Sequence, residues 1–96
     1  MKFLFLFISF TFTQTLLVNV IDANRGVPLK DSNVIIIDQN GNNWGNSSDE
    51  NGNCHFNDLV NGKYTILISY IGYEDYKTDI HINNTDAKIS CELSVS

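Results

Sequence analysis

Along most of this chain apolar and polar residues alternate with a period of two. Short clusters of Asn, Asp and Gly break the alternation into separate runs. Such runs, enriched in β-branched and aromatic residues, predict strands, because alternate side chains of a strand face opposite sides of a sheet. The reading places strands near Leu16–Ala23, Asn33–Asp38, Trp44–Ser48, Asn53–Asn57, Lys63–Tyr70, Glu74–Ile82 and Ala87–Val95. No stretch carries helical spacing with caps. Punctuation by Asn-Arg-Gly, Asn-Gly-Asn, Glu-Asn-Gly and Val-Asn-Gly favours a small antiparallel sandwich over βαβ units. No element-sized repeat or linker interrupts it.

The longest run, GKYTILISYIGYEDYKTDIHI, holds a glycine near its middle. Before it, Tyr64, Ile66, Ile68 and Tyr70 share one face, with Thr65, Leu67 and Ser69 on the other. After it, Tyr76, Thr78, Ile80 and Ile82 share a face opposite Lys77, Asp79 and His81. The run is therefore two strands meeting at Ile71-Gly72, where a residue without Cβ lets the chain turn a corner. The flanking tyrosines can bury their rings at the core edge and leave their hydroxyls wet or bonded.

The opening residues, MKFLFLFISFTFTQT, break the pattern: one Lys precedes an uncharged run from Phe3 to Phe12. This is the layout of a secretory leader, although Thr11, Thr13 or Thr15 stands where Ala is usual at the cleavage point. Residues 1–15 are assigned to it, leaving 16–96 as one domain. Ten residues are too few to cross a hydrocarbon core, which takes about 20, so no transmembrane segment is expected in the mature chain. No Cys follows the run to carry a lipid. Removing Lys2 leaves five Lys and Arg against eleven Asp and Glu. That balance supplies no basic stripe for nucleic acid and disfavours anionic membrane surfaces.

Several residues invite a chemical reading. Cys54 and Cys91 are an even pair in an exported chain, which suggests a disulfide. Alternation sends both inward, Cys54 with Phe56 and Cys91 with Ile89 and Leu93. His55 adjoins Cys54, but strand neighbours point to opposite faces, so no nucleophile and base pair forms. His81 is expected on the exposed face. Zinc-ligand spacing is missing, and no catalytic, metal or cofactor residue is assigned. DQNGNN and DENGN each resemble the start of a calcium loop. The EF-hand template wants Gly sixth and Glu twelfth. It meets Asn43 and Asp49 counting from Asp38, and Cys54 and Val60 counting from Asp49. Asn-Gly turn chemistry explains both runs without an ion. Trp44, the one tryptophan, is read as core or edge packing ahead of an exposed sugar platform. Asn46-Ser47-Ser48 and Asn83-Asn84-Thr85 fit the glycosylation sequon, which matters only in a eukaryotic secretory route.

Three segments in order resemble the carboxypeptidase-regulatory-like domain. VNVIDANRGVPLKDSNVIIID matches its first strand, turn and second strand through Val20, Asp22, Gly26, Pro28, Leu29, Ser32 and Val34. SDENGNCHF matches its T-D-x-x-G-x-F hairpin through Ser48, Asp49 and Gly52. LVNGKYTILISYIGYE matches its L-x-x-G-x-Y strand and S-Y-x-G-Y corner through Leu59, Gly62, Tyr64, Ser69, Tyr70, Gly72 and Tyr73. The likeness runs from Val18 to Val95. It departs at Val18, where the family usually has Gly, and at Cys54, where it has an aromatic that here follows at Phe56.

The resemblance implies an all-β, seven-stranded antiparallel sandwich of the transthyretin (prealbumin) kind. In that topology the strands of Cys54 and Cys91 flank the first strand. Two inter-strand steps put their Cα atoms about 9 to 10 Å apart, beyond the ~7 Å reach of a disulfide, so two buried thiols are favoured. The resemblance also implies a non-enzymatic accessory module of the periplasm or outer membrane. Its expected partner is a protein, such as the plug and barrel of a TonB-dependent receptor, or a protease domain. A small carbohydrate- or calcium-binding module is the alternative. Transthyretin-fold hydroxyisourate hydrolases share the architecture but end in a Tyr-Arg-Gly-Ser-type tail, whereas this chain ends CELSVS and its one Arg lies in a turn.

Overall fold

The structure, a computed structural model, describes residues 13–96. The expected leader therefore lies outside the described residues except for its last three. Two of those, Gln14 and Thr15, belong to the first strand. Seven strands follow in order: β1 Gln14–Asp22, β2 Asn33–Ile37, β3 Asn43–Ser47, β4 Asn53–Leu59, β5 Gly62–Ser69, β6 Tyr76–Ile82 and β7 Ala87–Leu93. Each coincides with a strand read from the alternation, with ends moved by a residue or two.

Two sheets form, β4-β1-β7 and β3-β2-β5-β6, and pack face to face as a transthyretin-like sandwich. Every pairing is antiparallel except one: β1 and β7 run parallel, with Leu16 beside Ala87 and Asp22 beside Leu93. The wholly antiparallel expectation is corrected there. Alternation fixes which face a side chain takes and carries no information on strand direction.

The core is the sum of the inward faces. Leu16, Val18, Val20, Phe56, Leu93 and both cysteines come from one sheet, and Val34, Ile36, Tyr64, Ile66, Ile68 and Ile82 from the other. Packing such large side chains to near exclusion of water supplies most of the favourable free energy, at about 25 cal/mol per Å² of apolar surface removed from water. β4 carries one extra residue opposite β1. The register slips between Gln14 and Leu16, and Asp58 takes φ 59°, a bulge that returns Leu59 to the core.

Gly72 sits where the chain leaves β5. Tyr73 N donates to Tyr70 O at 3.0 Å, closing a four-residue turn, and Gly72 at its third position has φ 84°. Positive φ at that position is what selects glycine. Beyond the turn Tyr73 bridges to Val95 and Glu74 N donates to Ser94 O at 2.8 Å, so the corner is stitched to the tail that follows β7.

Candidate functional site

At the end of the sandwich where β1, β5 and β7 finish, the polar residues of the sequence motifs converge. Asp22 is 2% exposed, and its Oδ1 accepts from the amides of Asn24 and Arg25, each at 2.8 Å. Its Oδ2 accepts from the Tyr73 hydroxyl at 2.5 Å, and the Arg25 guanidinium stands 3.7 Å away. The Tyr73 bond, then the Arg25 amide, hold the Asp22 carboxyl below its usual 3.8. The same bond raises the Tyr73 hydroxyl. One carboxylate thus ties the turn after β1 to a corner 51 residues later in the chain. Tyr70 packs edge-on against Tyr73 with ring centres 5.3 Å apart. The sequence pointed to Asp22 and Tyr73 as motif positions. It did not show them bonded, because no periodicity links them.

A second buried polar pair pins the turns around β2 and β3. Ser48 Oγ donates to Leu29 O at 2.6 Å and accepts from Ser32 N at 2.9 Å. Its one proton being spent, the 2.7 Å contact between the two hydroxyls has Ser32 as donor. Both serines are buried, and no described buried side-chain polar atom is left without a partner.

The calcium-like runs are turns of similar design, the first closing the β2–β3 hairpin and the second carrying the chain from β3 in one sheet to β4 in the other. Asp38 Oδ1 accepts from Asn40 N and Asn42 N, each at 2.9 Å. Asp49 Oδ1 accepts from Asn51 N and Asn53 N, also at 2.9 Å. These carboxylates are turned into their own loops, which is turn chemistry rather than an ion cage. Among the described residues no group of three His, Cys, Asp or Glu is placed to hold a metal.

Cys54 and Cys91 are buried, free and separated by β1. Cys54 lies opposite Val18, and Cys91 lies opposite Val20. Burial, then the nearby Asp49 charge, pushes the Cys54 thiol up to about 11, and burial raises Cys91 as well. A thiol held protonated in this way is a core side chain and not a nucleophile. His55 and His81 are both exposed, on the faces opposite their buried neighbours, as the alternation required.

Trp44 lies on the edge strand β3, paired with Ile36. It is 44% exposed, and its ring centre is 6.5 Å from that of Tyr64. It packs at the edge, as expected, with one side wet. Beside it Asn46 closes the seam between the sheets: Nδ2 donates to His55 O at 3.2 Å and Oδ1 accepts from Ser47 N at 2.9 Å. That carboxamide occupies two edge groups otherwise free to pair with another chain. Asn83, the other sequon, is exposed in the loop before β7.

On the outer face of the four-stranded sheet Ile35 and Leu67 floor an open depression of about 370 Å³, rimmed by Ser69, Asp75, Tyr76 and Lys77. Ile71, at the corner, is 93% exposed.

Two layered sheets with this strand order define a transthyretin-like β-sandwich domain. The chain belongs to the CarboxypepD_reg-like domain family, which it matches over residues 19–96. No curated protein matches it. Among solved structures it is similar to the Bacillus anthracis TIE protein (21% identity, TM-score 0.75), covering 86% of this chain and 17% of that one. BcpA, the major pilin subunit of Bacillus cereus, is similar over 88% of this chain and 30% of its own (20% identity, TM-score 0.75). So is the 3-chlorocatechol 1,2-dioxygenase of Rhodococcus opacus, over 88% and 60% (12% identity, TM-score 0.75). At these identities the likeness is one of fold. The chain spans less than two thirds of each.

Proposed function

We propose that the chain is a non-catalytic, exported accessory module that binds a protein partner in the periplasm or at the outer membrane. It works either as the leading part of a TonB-dependent receptor or as a free-standing protein. One observation carries the reading: the polar residues of the motifs are spent within the fold. Asp22, Asp38 and Asp49 cap their own turns, Ser32 and Ser48 bond each other, and the thiols are buried. What remains for contact is surface, namely the Ile35 and Leu67 face and the corner at Ile71. Membership of the family supports the accessory role, as does the recurrence of the fold as a part of longer chains such as the TIE protein. The leader-like residues 1–15 support export.

Expressed from its own start in a Gram-negative host, the chain is expected in the envelope fraction with its leader removed. Intact, cytoplasmic protein would overturn the export part. The half-exposed Trp44 favours one second reading, a carbohydrate or calcium module. Titration of its fluorescence decides: no change with glycans or Ca²⁺ supports the protein-binding reading, whereas a saturable change supports the alternative. Hydrolysis of 5-hydroxyisourate that is lost in His55→Ala or His81→Ala would establish an enzyme instead.

A further inference from the structure

Three Asn-Gly dipeptides occupy turns of the sandwich: Asn40-Gly41 after β2, Asn51-Gly52 after β3 and Asn61-Gly62 after β4. Glycine after asparagine leaves the following amide nitrogen unshielded, so the dipeptide is prone to ring closure on itself. We propose that Asn40 is a self-modification site of the native protein and that the other two are protected by the fold. The Gly41 nitrogen loses its proton and attacks Asn40 Cγ, forming a C–N bond as ammonia leaves. Water then opens the five-membered imide at either carbonyl, giving aspartate or isoaspartate at position 40. Water is the one co-reactant, and no electrons change hands.

The ranking follows from what each turn must break before the nitrogen can reach Cγ. At Asn61 the carboxamide is held at both atoms. Nδ2 donates to Asn84 Oδ1 at 2.7 Å, and Oδ1 accepts from Asn84 N at 2.8 Å. At Asn51 the side chain has no partner among the described residues, but the backbone is anchored. Gly52 N donates to Asp49 O at 2.9 Å, Asn51 O accepts from Asn19 Nδ2 at 3.2 Å, and Gly52 O accepts from Val20 N at 2.7 Å. Gly52 is buried as well. At Asn40, among the described residues, the carboxamide has no partner. The peptide to Gly41 has one hydrogen bond, the 3.2 Å contact from Gly41 N to Asp38 O. A Cβ built on Gly41 would meet nothing within 4 Å. One weak bond restrains the reaction at Asn40 and several restrain it elsewhere, so local opening is easiest there.

The product changes the fold locally. Isoaspartate adds a backbone atom inside the turn that sets β3 on β2, where Asp38 N donates to Asn42 O at 2.9 Å. β3 carries Trp44, so its fluorescence reports the loosening.

The test is peptide mapping by mass spectrometry of the full chain held at mildly alkaline pH, native and in urea. In urea the three sites are expected to react at comparable rates. In the native protein Asn40 leads the other two by about tenfold or more, the effect of a couple of hydrogen bonds. Asn19→Ala, which frees the Asn51 carbonyl, raises the Asn51 rate and leaves Asn40 unchanged. Native Asn51 or Asn61 reacting as fast as Asn40 overturns the proposal. So does an intact Asn40 in a protein whose unfolded chain reacts, or an Asn51 rate that ignores Asn19→Ala.

Discussion

Residues 38–42 and 49–53 are nearly the same turn written twice, Asp-Gln-Asn-Gly-Asn and Asp-Glu-Asn-Gly-Asn, one at each end of β3. Both share the same backbone bonding inside, with an aspartate accepting two amides and a glycine at positive φ, 86° and 77°, and the first adds a 3.1 Å bond from Asn42 Nδ2 to Asp38 Oδ2. They differ in what lies outside. The first makes no hydrogen bond to another element among the described residues. The second is clasped by β1 through Val20 N and the Asn19 carboxamide, which also donates to Asn53 Oδ1 at 2.7 Å. A local sequence therefore sets a turn's shape, and its surroundings set how firmly that shape is held.

Glycine substitution breaks the comparison most sharply. Alanine at Gly41 costs about 1–2 kcal/mol, the penalty of a left-handed backbone for an L-residue. Alanine at Gly52 adds a collision: its Cβ would run into the Val20 carbonyl oxygen and lie 3.1 Å from Pro28 Cβ. The expected loss exceeds about 3 kcal/mol in urea denaturation, a large part of a small domain's stability.

Asp22 extends the comparison to a third turn, anchored by a side chain rather than by a strand. Tyr73→Phe removes the hydroxyl on Oδ2 and is expected to lower Tm by about 4–8 °C. Acid sharpens the point. Tyr73 and two backbone amides depress Asp22. Thr65 and then Lys63 depress Asp79. At Asp38 burial works upward and is outweighed by Asn42, Asn40 and Gly41. Each of these folded carboxyls gives up its proton more readily than in the unfolded chain. Their contribution is complete above the ordinary carboxyl range and is lost as pH falls below about 4. Urea midpoints against pH should show that decline, and it should be shallower in Tyr73→Phe.

Asn19→Ala is the mildest of the changes, at about 1 kcal/mol, and loosens the 49–53 turn alone. Hydrogen exchange faster at Asn53 and unchanged at Asn42 would show the two turns responding separately.

All seven strands and both buried thiols could be read from alternation, because a period of two is a direct record of which side chains face inward. Gly72 was legible for a similar reason, since only a turn explains a glycine between two alternating runs. The parallel docking of β7 on β1 was not, because direction leaves no trace in the pattern. Nor was the bond between Asp22 and Tyr73, or the unequal anchoring of the two turns. Both join residues far apart in the chain, and only the folded sandwich brings them together. The exposed Ile35 and Leu67 face was visible as apolar residues on the second face of two strands, yet alternation treats such residues as ordinary surface exceptions.

Site-resolved hydrogen exchange on the native protein tests the unequal anchoring most directly. Gly52 and Val20 amides are expected to exchange only on global unfolding, while Gly41 and Asn42 exchange by local opening at much lower free energy. Equal protection in the two turns would contradict the claim that contact with β1, rather than the five-residue sequence, holds the second turn in place.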